Sequence, residues 1–267
     1  MSIGEWKWMF GIFLTAAFLR GEPLPDIRIC PFAEGKAAAI SLTFDDGILD
    51  QFTVARPLLN ERDLPATFFI VVQATNEALD RRSDPSMAQK MSWDQLAQLM
   101  EDGHEIGNHS DTHRVKLKGQ EPRTLTREIV ESASVIEGNL GVRPVSFAFP
   151  WNAYDEESMD VVLREHINAR TKQYGVGRNF RISQAENWLE KTIRKQEWGV
   201  VMLHAIIPDF RGYDPLPNGA EDLEEFLDLL ERHRDNLWIA TFGEVSKYKA
   251  LAENSEVEWI IPGETFM

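Results

Sequence analysis

Between Lys36 and Lys249 short apolar runs alternate with longer segments whose apolar residues recur at helical spacing. Six of the runs have the length and the β-branched or aromatic content of strands: Ala38–Phe44, Thr67–Val72, Glu105–Gly107, Val145–Phe149, Val200–Leu203 and Trp238–Thr241. The segments between them carry helix signals. Ser92 and Gln95 form a capping box for a helix that Gly103 closes, and Ser183 with Glu186 repeats that signature ahead of Trp188, Leu189 and Ile193. Thr126 to Leu140 ends at Gly141, a residue suited to the left-handed C-cap. Glu221 to Arg234 places Leu223, Phe226, Leu227 and Leu230 on one face, with its acidic residues on the wet side. Strand, helix, strand in this order predicts a parallel sheet, closed as a barrel or doubly wound. Either architecture gathers its chemistry at the carboxyl ends of the strands.

A chain of 267 residues, 43% hydrophobic, can bury a large core and still be one domain of barrel size. With 28 Lys+Arg against 43 Asp+Glu the net charge is −15, which repels nucleic acid and anionic lipid and leaves neutral or cationic ligands as partners. The single cysteine, Cys30, excludes an internal disulfide framework and any multi-thiolate zinc site; it reads as buried or incidental rather than reactive. Near the N-terminus Trp8 to Leu19 is an apolar run preceded by Lys7, of the length of an export signal's core and too short to span a bilayer. We read it as an export segment, placing the protein in the periplasm, outside the cell or at its surface. An apolar arm packed on a cytoplasmic domain is the other reading. The chain then divides into an N-terminal segment over 1–30, a barrel over 31–249 and a tail over 250–267, where Trp259-Ile260-Ile261 is an added strand or the start of a further element.

The candidate chemistry falls just after predicted strands. Asp45-Asp46-Gly47 leaves the first of them; adjacent carboxylates there point in different directions, so one can ligate a metal while the other reaches a water. Alone the triplet is equally the signature of a turn. His109 and His113, four apart in His109-Ser110-Asp111-Thr112-His113, would share one face of a helical turn and offer two nitrogen ligands to a divalent ion. Two imidazoles and one carboxylate leave positions open, and such a site lowers the pKa of water and polarises a carbonyl. Three of the chain's six histidines lie between Gly103 and His113, the third being His104, ahead of the strand, which reads as structural. His204 directly follows Val200-Val201-Met202-Leu203, where a barrel presents a general acid, although a core histidine has the same pattern.

Thr43-Phe44-Asp45-Asp46-Gly47, Ala66-Thr67-Phe68-Phe69, His109-Ser110-Asp111-Thr112-His113, Phe149-Pro150-Trp151 and Leu203-His204 together resemble the polysaccharide deacetylases, the fourth carbohydrate esterase family, in order over about residues 38 to 249. The resemblance implies a distorted (β/α)7-type α/β barrel and a hydrolase that removes N- or O-linked acetyl groups from chitin oligomers, peptidoglycan or acetylxylan. It implies Asp45 as general base, His204 as general acid, and Asp46, His109 and His113 as ligands of a divalent metal, Zn2+ foremost, with Co2+ or another ion as alternatives. It also implies an oxyanion donor in the backbone N–H of Trp151, with Pro150 beside it, and Leu203 in the acetyl pocket. Tyr213, in Tyr213-Asp214-Pro215-Leu216, reads as cleft rim or as an ordinary turn.

The chain departs from that family in two places. Ala148 stands where an Arg usually braces the catalytic Asp, and no segment matches the Asp-containing motif that orients the acid His. Arg170 is the candidate replacement cation, with an ordinary surface arginine as the competing reading. Two other functions stay open: a metal-dependent amidohydrolase on a small non-sugar amide, and a degenerate barrel that binds glycans without cleaving them.

Overall fold

Strand β1, Ala38–Asp45, is buried at every position, and its near-continuous apolar run is what a parallel strand covered on both faces requires. The computed structural model describes residues 29–78, 89–209 and 211–255. The apolar run Trp8–Leu19, read above as an export segment, and Trp259-Ile260-Ile261 lie outside those residues. Within them, Cys30–Ser255 forms one compact unit.

The other strands are β2 (Ala66–Ile70), β3 (Glu105–Asn108), β4 (Ser146–Ala148), β5 (Asn168–Arg170), β6 (Tyr174–Gly175), β7 (Trp198–Leu203) and β8 (Leu237–Ile239). The helices are α1 (Arg56–Glu61), α2 (Val72–Asn76), α3 (Trp93–Glu101), α4 (Pro122–Leu125), α5 (Ser132–Leu140), α6 (Glu156–Glu165), α7 (Ile182–Lys195), α8 (Ala220–Arg232) and α9 (Phe242–Glu253). Seven strands run in the order β5-β4-β3-β2-β1-β7-β6, all parallel. β7 takes one edge of β1 from Ala39 to Phe44. The other edge is shared: β8 pairs with Ala38–Ile40 and β2 with Leu42–Asp45. A regular eight-strand closure is therefore replaced by a seven-strand curve with β8 set below β2. This is the distorted (β/α)7 barrel the resemblance implies.

Two layers of core follow from the period-two alternation of the strands. Leu42, Phe44, Phe68 and Ile70 face outward onto the helices, where they meet Leu96, Leu99, Leu189 and Phe226. Phe69, Ala148, Val200 and Phe242 face the interior. The floor of the barrel is the amino end of α9. Its N-cap Thr241 forms a capping box with Glu244, while the N–H of Phe242 donates to Thr67 Oγ1 and that of Gly243 to Glu105 Oε2, both at 2.8 Å. A Cβ on Gly243 would lie 2.5 Å from Glu105 Oε1, so only glycine lets the helix end seat there.

The sequence reading misses β5 and β6, which have three and two residues and no apolar run. It also places the cap of α7 wrongly. Ser183 lies inside the helix, whose N-cap is Arg181 with no side-chain cap bond. The predicted helix from Thr126 is a π-helical turn, Thr126–Glu131, running into α5, and it ends at Gly141 with φ 73° as expected. Cys30 is exposed rather than buried. Among the described residues no helix is long and apolar enough to cross a membrane.

Candidate active site

At the carboxyl end of β1 the chain turns sharply. Asp45 is the last strand residue, and Asp46 and Gly47 take left-handed φ values of 71° and 60°. Aspartate tolerates that region better than most residues, and the reversal sends the two carboxylates apart. The turn is held by the segment opposite it: Met91 N–H donates to Gly47 O at 2.9 Å and Lys90 Nζ to Asp46 O at 2.9 Å.

His109 leaves β3 and does not start a helix. The segment to His113 is an irregular bend with Ser110 at φ 73° and His113 at φ 53°. Its shape is imposed by neighbours. Asn108 Oδ1 accepts from Ser110 N–H and Ser110 Oγ from His113 N–H, both at 3.0 Å. Glu128, buried on the π-helical turn, accepts from Thr112 N–H at 2.9 Å and Thr112 Oγ1 at 2.7 Å. The four-residue spacing thus brings the imidazoles together by a route other than the helical one, with ring centroids 4.7 Å apart.

Asp46, His109 and His113 offer ligand atoms that all lie within 4.8 Å of one another. Asp46 Oδ1 is 3.8 Å from Nε2 of each histidine. The Nδ1–H of His109 donates to the Ala148 carbonyl at 2.8 Å, so its Nε2 lone pair must face the cluster. Burial pushes the His109 imidazole down to about 4, against the pull of Asp45 and Asp46, and keeps it neutral as a metal ligand has to be. The donor set therefore fits a small divalent ion, with three protein ligands and open positions. His104, by contrast, is structural: Nδ1 accepts from Ala66 N–H at 3.2 Å and Nε2 meets Asn60 Oδ1 at 2.9 Å.

Asp45 lies beside the cluster with its Oδ2 3.8 Å from Nε2 of both His109 and His204. Arg170, on β5, is 1% exposed and not a surface residue. It reaches across the barrel to grip both oxygens of Asp45, donating from Nη1 to Oδ1 at 2.6 Å and from Nη2 to Oδ2. Nη1 also donates to Thr43 Oγ1 at 2.7 Å, and the guanidinium carbon lies 5.1 Å above the Phe69 ring. Ala148 and Arg170 are Cα partners on the paired strands β4 and β5, so the cation has moved one strand over from its usual place. Burial raises the Asp45 carboxyl, but the Arg170 charge and hydrogen bonds, with the neighbouring His109 and His204, together outweigh it and hold that carboxyl well below the usual range.

Asp45, Asp46, His109, His113 and His204 line a cavity of about 540 Å³ whose wall includes Trp151, Asn152, Arg114, Arg178, Tyr213 and Asp214. Trp151 is at φ 54° and half exposed, its ring 4.4 Å from that of His113. Pro150 is buried behind it and is not part of that wall. Leu203 is fully buried in the outer core; alternation along β7 puts Met202, not Leu203, on the cavity side. Trp93 packs its helix to the core and donates to Asn76 Oδ1 at 2.9 Å.

Comparison with known proteins bears on the family and the fold. A family model described as polysaccharide deacetylase matches residues 33–168. A gellan lyase from a Bacillus species is 23% identical over 268 residues, covering 87% of this chain but 10% of that protein. The chain spans less than half the length of the curated relatives it matches. Among solved structures, a polysaccharide deacetylase-family protein from Mycobacterium smegmatis superposes with a TM-score of 0.62 at 15% identity, covering 89% of this chain and 99% of that one. A pseudoenzyme of the fourth carbohydrate esterase family from Bacillus anthracis superposes with a TM-score of 0.55 at 14% identity, over 78% and 65% of the two chains. Such likenesses show the fold, and the matched model shows the family: this chain belongs to the polysaccharide deacetylases.

Proposed function

We propose that the protein is an active, metal-dependent carbohydrate deacetylase that hydrolyses N- or O-linked acetyl groups on an acetylated glycan such as chitin oligomers, peptidoglycan or acetylxylan. The observation that carries the reading is the joint placement of three metal-type ligands within 4.8 Å of one another and of two proton-transfer groups, Asp45 and His204, 3.8 Å apart beside them. Asp46, His109 and His113 would hold a divalent ion, Zn2+ foremost, which would supply Lewis acidity toward water and the acetyl carbonyl. The protein's own groups do the rest. Asp45 accepts the proton of the attacking water as its oxygen bonds to the acetyl carbon. The backbone N–H of Trp151 donates to the oxygen on which charge develops. A carboxyl held as low as Asp45 gives that proton up readily, and His204 Nε2, beside the same oxygen, carries a proton to the departing amine or alcohol. The C–N or C–O bond breaks and acetate leaves. Met202 lines the cavity near these groups, and Trp151 and Tyr213 offer aromatic faces to sugar rings.

A second reading, a barrel that binds glycans without hydrolysis, is favoured by Ala148 in place of the usual arginine and by the B. anthracis pseudoenzyme among its structural neighbours. Acetate release over chitin oligomers, peptidoglycan, acetylxylan and small non-sugar acetamides, with metal content measured alongside, separates the readings. Chelator-sensitive release from a glycan supports deacetylation; release only from the small amides makes the protein an amidohydrolase. Release that persists in metal-free protein would sink both, and binding without release identifies a binder. An extracytoplasmic location, drawn from the Trp8–Leu19 run, is tested by fractionating the native host.

A further inference from the structure

We infer that Gln51, with Asp50 beside it, is a positioning residue that holds the two proton-transfer groups of the site, Asp45 and His204, in register. The inference rests on the reading of those two residues as base and acid. Asp45 and His204 are the first residues beyond the ladder between β1 and β7, which ends at the pair Phe44 and Leu203. Past that point the strands stop fixing their separation, although the chemistry depends on it. One side-chain amide takes over. Gln51 Nε2 donates to Asp45 O at 2.6 Å and to His204 O at 3.1 Å, one donor for each carbonyl, as a further rung between the strands.

Asp50 secures the same loop one step further on. Its Oδ2 accepts the N–H of Ile206 at 2.6 Å and of Ile207 at 2.8 Å. Three backbone groups just after β7 are thus committed to two consecutive side chains. Both are buried, Asp50 at 2% and Gln51 at 0% exposure, and each keeps one oxygen without a hydrogen-bond partner. Burying an amide and a carboxylate in this way costs stability that an apolar residue at position 51 would not. Gln51 opens a π-helical turn, Gln51–Ala55, a widened geometry that recurs at functional sites. The cost is retained where it fixes the catalytic backbone. The family's usual segment for orienting the acid histidine has no counterpart in this sequence, and here the histidine is positioned through its main chain.

The test uses the metal-loaded full chain. Gln51→Leu removes both donors, and Gln51→Glu keeps the volume but loses them. Each is expected to lower kcat about 10- to 100-fold, the scale of an ångström-sized misplacement, with KM and metal content unchanged. Asp50→Asn, whose amide oxygen accepts both N–H groups, should stay within a few-fold of wild type, while Asp50→Ala should fall with the Gln51 variants. Independently of turnover, the ring NMR signals of His204, assigned with His204→Gln, should shift or split in Gln51→Glu while those of His104 and His166 stay. Wild-type kcat in both Gln51 variants of an active enzyme, or unmoved His204 signals, overturns the inference. If wild type released no acetate from any substrate, the proposed function would fall and the His204 signals would still decide the role of Gln51.

Discussion

Replacing Arg170 with Met tests the least expected part of the site. The guanidinium offsets a carboxylate that is 2% exposed, so the variant leaves a buried charge without its partner. Breaking such a pair from one side costs about 3–5 kcal/mol, a large share of the ~5–15 kcal/mol that holds a domain folded. The Asp45 carboxyl must then rise. Burial, which pushes it up, is opposed in wild type chiefly by Arg170. With Arg170 present, Asp45 is ionised across the working range, and its contribution to stability is present above a pH of about 4 and lost in stronger acid. Without it the carboxylate protonates at higher pH, and the acid limb of the kcat/KM profile should move toward neutrality. Loss of a working general base costs about 10²–10⁴ in rate.

The assay is acetate release from the best glycan between pH 5 and 9, with metal content and a urea midpoint for each variant. Ala148 supplies the control, because its Cα is paired with that of Arg170 across adjacent strands, about 5 Å away in any sheet. The double variant Ala148→Arg, Arg170→Met returns a guanidinium to within reach of Asp45 and should recover part of both stability and rate. Full activity in Arg170→Met, with an unmoved acid limb, would refute the assignment.

Three further outcomes follow from the same geometry. Leu203→Ala should cost about 2–5 kcal/mol of stability and leave kcat nearly intact, whereas Met202→Ala should alter kcat/KM at nearly wild-type stability; the reverse pattern in paired melts and kinetics would overturn the facing of β7. Gly107→Ala would put a Cβ 2.5 Å from the Phe69 ring on which Arg170 rests, so a urea midpoint well below wild type and a drop in activity are expected, and a silent variant refutes it. In metal-free protein, burial holds His104, His109 and His166 near 4, so from pH 6.5 downward the unfolded chain takes up protons that the folded one refuses. Asp50, raised by burial to about 6, works in the opposite direction. Stability should therefore fall on acidification from pH 6.5 to 4.5, by up to ~1.4 kcal/mol per pH unit for each uncompensated group; a midpoint that holds or rises over that range contradicts it.

What could be read from the sequence, and what could not, follows the range over which each feature is encoded. Long apolar strands announce themselves because both faces of β1, β2 and β7 are covered, so their runs exceed anything a loop carries. The candidate metal ligands are legible for a different reason: Asp46 sits in one short motif and His109 with His113 in another. There the spacing was informative but the helical conformation inferred from it was not. The bend depends on Asn108, Ser110 and Glu128, and Glu128 bonds across a sequence separation of 16 that no local pattern reveals. α7 illustrates the same limit, since a Ser and a Glu at capping-box spacing were overridden by a helix that begins earlier.

The proposed base half of the site is the extreme case. Arg170 lies 125 positions from Asp45, on a strand of three residues with no apolar run, and nothing local distinguishes it from a surface arginine. Register alone brings it to Asp45, since β5 pairs with β4 so that position 170 meets position 148. In a barrel, neighbouring strands present side chains to one interior, so a charge can move to the adjacent strand while its target stays fixed. Two conditions permit that move here. Ala148 is small enough to leave the space, and Phe69 provides a flat apolar face for the incoming guanidinium. Loss of a motif arginine is therefore weak grounds for calling a chain of this fold inactive. The decisive question is whether any inward position at the same level of the barrel returns the cation.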